Sequence, residues 1–142
     1  MAARGPRRGA ALEALIDTNV LVRHLTGDPP AAARRATVFL AAGHVLVLAD
    51  VILAELVYVL SSYYRRPRKE VAGAVRSLLA MPTIAVRDPL LLHRAVELFE
   101  TEGLAFQDAY LVAAAERTGV RRIASFDRDL DRLPTTERVE PR

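Results

Sequence analysis

The 142-residue chain predicts an α/β fold with parallel strands, and three observations carry that reading. The stretch Leu15-Ile16-Asp17-Thr18-Asn19-Val20-Leu21 passes from an apolar run, through a carboxylate and two small polar residues, into a new apolar period. That pattern reads as strand, turn and helix, with Asp17 at the strand's carboxyl end. His44 to Ala49 is a continuous apolar run of strand length, the type carried by buried parallel strands. Arg121 to Phe126 reads as another strand, and Asp127 follows it as Asp17 follows the first. Open α/β sheets bind ligands at the carboxyl edge of their strands, so two acids are expected where chemistry belongs. Capping competes as an explanation for Asp17, because Asp, Thr and Asn side chains all accept from free helix N–H groups.

Length and composition limit the alternatives. A chain of this size makes one domain with its own core, expected over residues 11–142. Residues 1–10, with Arg4, Arg7 and Arg8 among Gly5, Pro6 and Gly9, favour no regular element and read as a disordered basic tail. The apolar stretch after the tail is too short for a signal peptide, and no run approaches the roughly 20 residues that span a bilayer. The absence of cysteine excludes a disulfide framework and a thiolate site, and fits a cytoplasmic location. The net charge is +3. If four of the 17 acids gather at one metal, the 20 basic residues face 13 others, a basic shell suited to a phosphate polymer. Since 19 of those 20 are Arg, a bias in composition explains the excess equally well.

After the first strand and a short helix, Gly27-Asp28-Pro29-Pro30 breaks the chain. A helix is expected from Pro30 to Ala41, capped by Asp28, with Ala33, Ala36, Val38, Phe39 and Leu40 inward and Gly43 ending it. His44 is read as an edge or capping histidine, since no metal-ligand spacing surrounds it. Asp50 is expected to cap a helix over Val51 to Ser62 that is apolar on every side and therefore buried on every side. Glu55 interrupts it with no partner three or four residues away. A buried unpaired carboxylate costs several kcal/mol, so a cation or donors must compensate. A distant Arg such as Arg23 or Arg122 is the structural alternative.

Tyr63-Tyr64-Arg65-Arg66-Pro67-Arg68-Lys69 then opens a helix with Val71, Val75, Leu78 and Leu79 inward. Its two tyrosines and four cations suit stacking on bases and neutralising phosphates, with Arg65, Arg66 and Arg68 as candidate RNA contacts. A charged helix junction has the same composition. Thr83 to Val86 is a short strand, Asp88-Pro89 starts a helix on which His93 is solvated, and Glu100-Thr101-Glu102-Gly103 ends it. An alanine-rich helix follows with Asp108 in or just before its first turn, where the helix dipole favours the anion. Asp127, Asp129 and Asp131 alternate with Arg128 and Arg132, so at least two of these acids are read as solvated turn residues. Glu137 to Val139 reads as an edge strand.

Four stretches together resemble the PIN-domain ribonucleases, most closely the VapC-type toxins of toxin-antitoxin pairs. They are Ile16-Asp17-Thr18-Asn19-Val20-Leu21, Ala54-Glu55-Leu56-Val57-Tyr58-Val59-Leu60, Phe106-Gln107-Asp108-Ala109-Tyr110-Leu111 and Ser125-Phe126-Asp127-Arg128-Asp129-Leu130. The resemblance implies a PIN-like three-layer sandwich: a central parallel sheet of four to five strands with helices on both faces. It implies an endoribonuclease dependent on Mg²⁺ or Mn²⁺, a homodimer, an RNA substrate and a VapB-like antitoxin partner. Asp17, Glu55, Asp108 and Asp127 match its acidic quartet, and Asn19 and Ser125 match supporting polar residues. Mg²⁺ takes only one or two direct carboxylates and keeps several waters. Asp17 and Asp108 are therefore expected as direct ligands, Asp127 at a second or water-mediated position, and Glu55 positioning water. Leu104-Ala105-Phe106 departs from the pattern, being apolar where the family often carries a polar or acidic residue. A housekeeping RNA-processing nuclease and a non-catalytic RNA-binding module of the same fold remain open as alternatives.

Overall fold

The first strand, β1 (Glu13–Leu15), delivers the chain directly to Asp17, the N-cap of α1 (Thr18–Thr26). The computed structural model describes residues 10–142, so the expected tail lies, up to residue 9, outside the described residues. Gly27 closes α1 in the left-handed region (φ 72°), donating its N–H to the Arg23 carbonyl at 2.9 Å. The next helix, α2, spans Pro30–Leu40. Pro29 is its N-cap, held extended because a proline follows it, so the expected cap Asp28 is displaced one residue outward. Ala33, Ala36 and Leu40 face the core as expected, but Val38 is 68% exposed.

β2 (Val45–Val47) pairs in parallel with β1 and with β3 (Ile84–Ala85), placing Ala14, Leu46 and Ile84 in one lateral row. His44 acts as the expected cap, its Nδ1 accepting from the Leu12 N–H at 3.0 Å. The His44–Ala49 run is not buried throughout, as a strand covered on both faces would be. Leu46 and Leu48 enter the core, whereas Val45, opposite Glu13 of β1, is half exposed. Farther along, β4 (Arg122–Ala124) pairs in parallel with β5 (Glu137–Val139). Among the described residues the parallel strands are hydrogen-bonded as a three-stranded sheet ordered β1-β2-β3 and a separate two-stranded β4-β5, rather than as the one sheet of four to five strands that was expected. With six α-helices among the described residues, the fold is of the expected α/β class.

After β2, α3 runs Asp50–Tyr58 and continues as a π-helical turn over Val59–Tyr63. Ala49 is its N-cap, and Asp50 lies in its first turn, accepting a hydrogen bond from the Tyr110 hydroxyl instead of capping. The helix is not buried on all sides. Leu53, Leu56 and Val57 are core residues, but Val51 and Tyr58 are largely exposed, and Glu55 lies on that same open face.

Then α4 (Arg68–Leu79) buries Val71, Ala72, Val75 and Leu78. α5 (Pro89–Thr101) is capped by Asp88, which accepts from the Leu91 N–H, and α6 (Phe106–Thr118) packs along it. Removing the large aliphatic side chains of these helices from water supplies the main folding drive, about 1.5–3 kcal/mol for each fully buried Leu or Val. Leu53, Leu56, Leu92 and Val112 belong to that set. Among the described residues no helix is long and apolar enough to cross a membrane.

Candidate functional site

Asp17 caps α1 from the carboxyl end of β1, and its Oδ1 accepts from the Thr18 N–H at 2.8 Å. Capping and exposure coexist here, since the residue remains open to solvent. Thr18 is the next residue and is only 5% exposed. Its hydroxyl donates to Glu55 Oε2 at 2.7 Å, joining the start of α1 to the middle of α3. The expected reason for Glu55, a buried carboxylate lacking donors, is therefore replaced: it is an exposed carboxylate aimed by a buried hydroxyl. Its Arg alternatives do not pair with it among the described residues, and Arg122 instead contacts Glu137. Asp17, Asn19 and Glu55 line one cleft of 420 Å³, together with Arg23, Asp28 and Tyr64.

The other two acids form a separate group. Asp108 lies in the first turn of α6 and is partly buried. Desolvation raises its carboxyl pKa above the usual value, and the charges of Asp127 and Asp129 raise it further. Asp127 stands beyond β4, where its N–H donates to Ser125 Oγ at 2.9 Å and its Oδ1 accepts from the Asp129 N–H at 2.9 Å. Ser125 thus fixes the backbone at Asp127. Asp129 and Asp131 are exposed and pair with Arg132 and Arg138, matching the expectation of solvated turn acids.

The structure brings Asp17 to Glu55, and Asp108 to the neighbourhood of Asp127. Among the described residues no group of three or more His, Asp or Glu side chains stands close enough to hold a metal ion. The donor chemistry nevertheless fits a hard cation: every candidate ligand is a carboxylate oxygen, and the surplus negative charge around Asp108 is what such an ion relieves. The Tyr110 hydroxyl on α6 donates to Asp50 on α3 and straps together the helices that carry Asp108 and Glu55. That bond pushes the Tyr110 phenol up to about 12.

Among the candidate RNA contacts, Arg68 is engaged within the fold. Its guanidinium lies 4.5 Å from the centroid of Phe99 and donates to the Phe99 and Leu104 carbonyls. Arg65, with φ 53°, and Arg66, 4.0 Å from Glu70, remain exposed. Thr18 is a cleft residue whose role the sequence left unassigned; the signal was its position between Asp17 and Asn19 at a strand end.

The family described as PIN domain matches residues 14–135. No curated protein matches the chain. Solved structures similar to it include the following two. One is VapBC2 from Rickettsia felis bound to a DNA fragment from their promoter, at 17% identity and a TM-score of 0.37, covering 92% of this chain and 99% of that one. The other is Mycobacterium tuberculosis VapC20, a Sarcin-Ricin loop cleaving toxin, at 18% identity and a TM-score of 0.39, covering 85% and 93%.

Proposed function

Because the chain belongs to the PIN domain family, we propose that it is an endoribonuclease dependent on Mg²⁺ or Mn²⁺ and the toxin of a VapBC-type pair. The nuclease reading is carried by the Asp17-Thr18-Glu55 arrangement, in which a buried hydroxyl aims one carboxylate into the cleft that another lines from a strand end. The toxin reading rests on the four acid-bearing sequence stretches; a VapB-like antitoxin, a second copy of the chain and an RNA substrate are the corresponding partners.

Asp17 and Asp108 are the direct ligands in this proposal, with Asp127 at a second or water-mediated position. A cation held by these carboxylates would neutralise charge at the scissile phosphate and would lower the pKa of a water, so that its hydroxide form can attack near neutral pH. Glu55 would position the attacking water and take up its proton, and Thr18 restricts the carboxylate to one orientation through the 2.7 Å bond. Asn19 offers the cleft an amide that can donate to a phosphate oxygen or to Asp17. Ser125 keeps the Asp127 turn in register. Arg65 and Arg66 contribute sequence-independent attraction for the phosphate chain.

The test is cleavage of labelled total RNA by purified protein with Mg²⁺, with Mn²⁺ and with chelator, beside Asp17→Asn protein purified identically. Discrete products that need the metal are expected, reduced at least about 100-fold in the variant, as a loss of several kcal/mol of transition-state stabilisation requires. Equal cleavage by the variant, or cleavage that ignores chelator, would refute the proposal.

A further inference from the structure

Glu55 lines two cavities. One is the acid cleft with Asp17. The second is a pocket of 590 Å³ between α3 and the start of α6, bounded by Tyr58, Phe99, Phe106 and Gln107. Resting on the nuclease reading, we propose that this second pocket takes one unpaired nucleobase of the RNA, the base next to the phosphate held at the acids.

The placement of the pocket makes the argument. Its walls adjoin both acid groups: Glu55 belongs to it directly, and Gln107 immediately precedes Asp108 in the first turn of α6. A nucleotide whose phosphate lies over the acids therefore has its base within reach of the pocket. The surface also suits a base. Tyr58, one turn beyond Glu55, is 69% exposed and presents a ring on which a base of any identity can stack. The buried Phe99 and Phe106, with centroids 6.2 Å apart and planes at 69°, form an apolar floor. Ala105 and Phe106, from the apolar turn before Asp108, line the pocket where a polar turn would have hydrated it.

Polar groups stand where base edges need them. The exposed Gln107 side chain offers both a donor and an acceptor, the pair that reads a base edge bidentately. Ser61 Oγ, on the wall, is buried without a hydrogen-bond partner among the described residues. Arg68 gives the far wall a positive charge while its guanidinium is fixed against Phe99. Unpaired bases stacked on aromatic rings and read at their edges are the usual basis of sequence-specific RNA recognition.

The test has a binding arm and a cleavage arm. In the first, Asp17→Asn protein is irradiated with single-stranded oligonucleotides carrying 5-iodouridine at successive positions, and the adducts are mapped by mass spectrometry. An adduct at Tyr58 from one position is expected, and adducts only elsewhere overturn the proposal. In the second, a random RNA pool is cut with Mn²⁺ and the cut sites are sequenced. Gln107→Ala should redistribute those sites, and Tyr58→Ala should raise KM roughly tenfold, with Tyr58→Phe restoring it. Unchanged sites and KM, with cleavage still dependent on Asp17, overturn the pocket and leave the nuclease intact. If unmodified protein does not cut, the binding arm decides for the pocket alone. If Tyr58→Ala instead converts a dimer to a monomer without moving the cut sites, the face is a contact between copies and the proposal fails.

Discussion

The two acid groups are built differently. Around Asp17 and Glu55 every carboxylate oxygen that the fold engages meets a donor: a backbone N–H for Asp17 and the buried Thr18 hydroxyl for Glu55. Around Asp108 the neighbours are other carboxylates, Asp127 and Asp129, and the effect on Asp108 is desolvation and repulsion. The first group is oriented by the protein alone, whereas the second carries a charge surplus that only a proton or a cation removes. A half-wired, half-repulsive arrangement can hold its geometry and still bind a cation with gain, because the repulsion relieved on binding adds to the attraction.

Removing the wiring tests that contrast most severely. Thr18→Val keeps the shape of the buried side chain and deletes the donor to Glu55. It is expected to lower RNA cleavage on the order of 10–100-fold, the usual cost of losing an orienting partner near a metal site. Unchanged turnover in a kinetic assay would mean that Glu55 needs no orientation. Tyr110→Phe loosens the strap between the helices that carry the two groups. It should cost about 1 kcal/mol, lowering Tm by about 2–4 °C in a domain of this size, measured by calorimetry.

The strap also has a pH window. The folded pKa of Tyr110 is raised to about 12 from the ordinary value of 10, so the folded state holds the proton more tightly. Its contribution is complete below pH 10 and is lost as pH rises through about 12. Asp50→Asn should bring that phenol titration back down, read by tyrosine absorbance.

The smallest effect expected is at the repulsive group. The raised pKa of Asp108 means that the folded protein binds a proton more readily than the unfolded chain, so ionisation of this residue costs stability. That cost is absent in acid and is fully present above the folded pKa. Metal-free Asp108→Asn should therefore be more stable than the parent at neutral pH. Solvent screening keeps the gain below about 1 kcal/mol, or no more than about 3 °C in Tm, and it should vanish below the carboxylate range. A lower Tm in the variant would make Asp108 a structural residue instead.

Much of this was legible in the chain itself, and the misreadings share one physical origin. Asp17, Asp88, Asp108 and Asp127 could be placed at strand ends and helix starts because apolar runs and short polar breaks fix such boundaries locally. Glu55 was singled out for attention on a ground, burial without a partner, that does not hold. A helix apolar on all sides implies burial on all sides only if a neighbour covers every face, and no local pattern says whether one does. Val51, Glu55 and Tyr58 share a face that opens onto a cavity. The caps at Asp28 and Asp50 moved by one residue for a similar reason. Pro30 holds Pro29 extended in the first case, and in the second a tyrosine 60 residues away takes the carboxylate.

Residue order by itself determined the parallel α/β class, the acids that end β1 and β4, the start of α6 at Asp108 and the membership of the PIN domain family, because each depends on contiguous pattern. Tertiary structure alone decided that Thr18 aims Glu55, that Asp108 faces Asp127 and Asp129, that Arg68 turns inward onto Phe99, and that Tyr110 ties α6 to α3. These contacts join residues distant in the chain, and which of several chemically equivalent partners meets which is settled only when the helices pack.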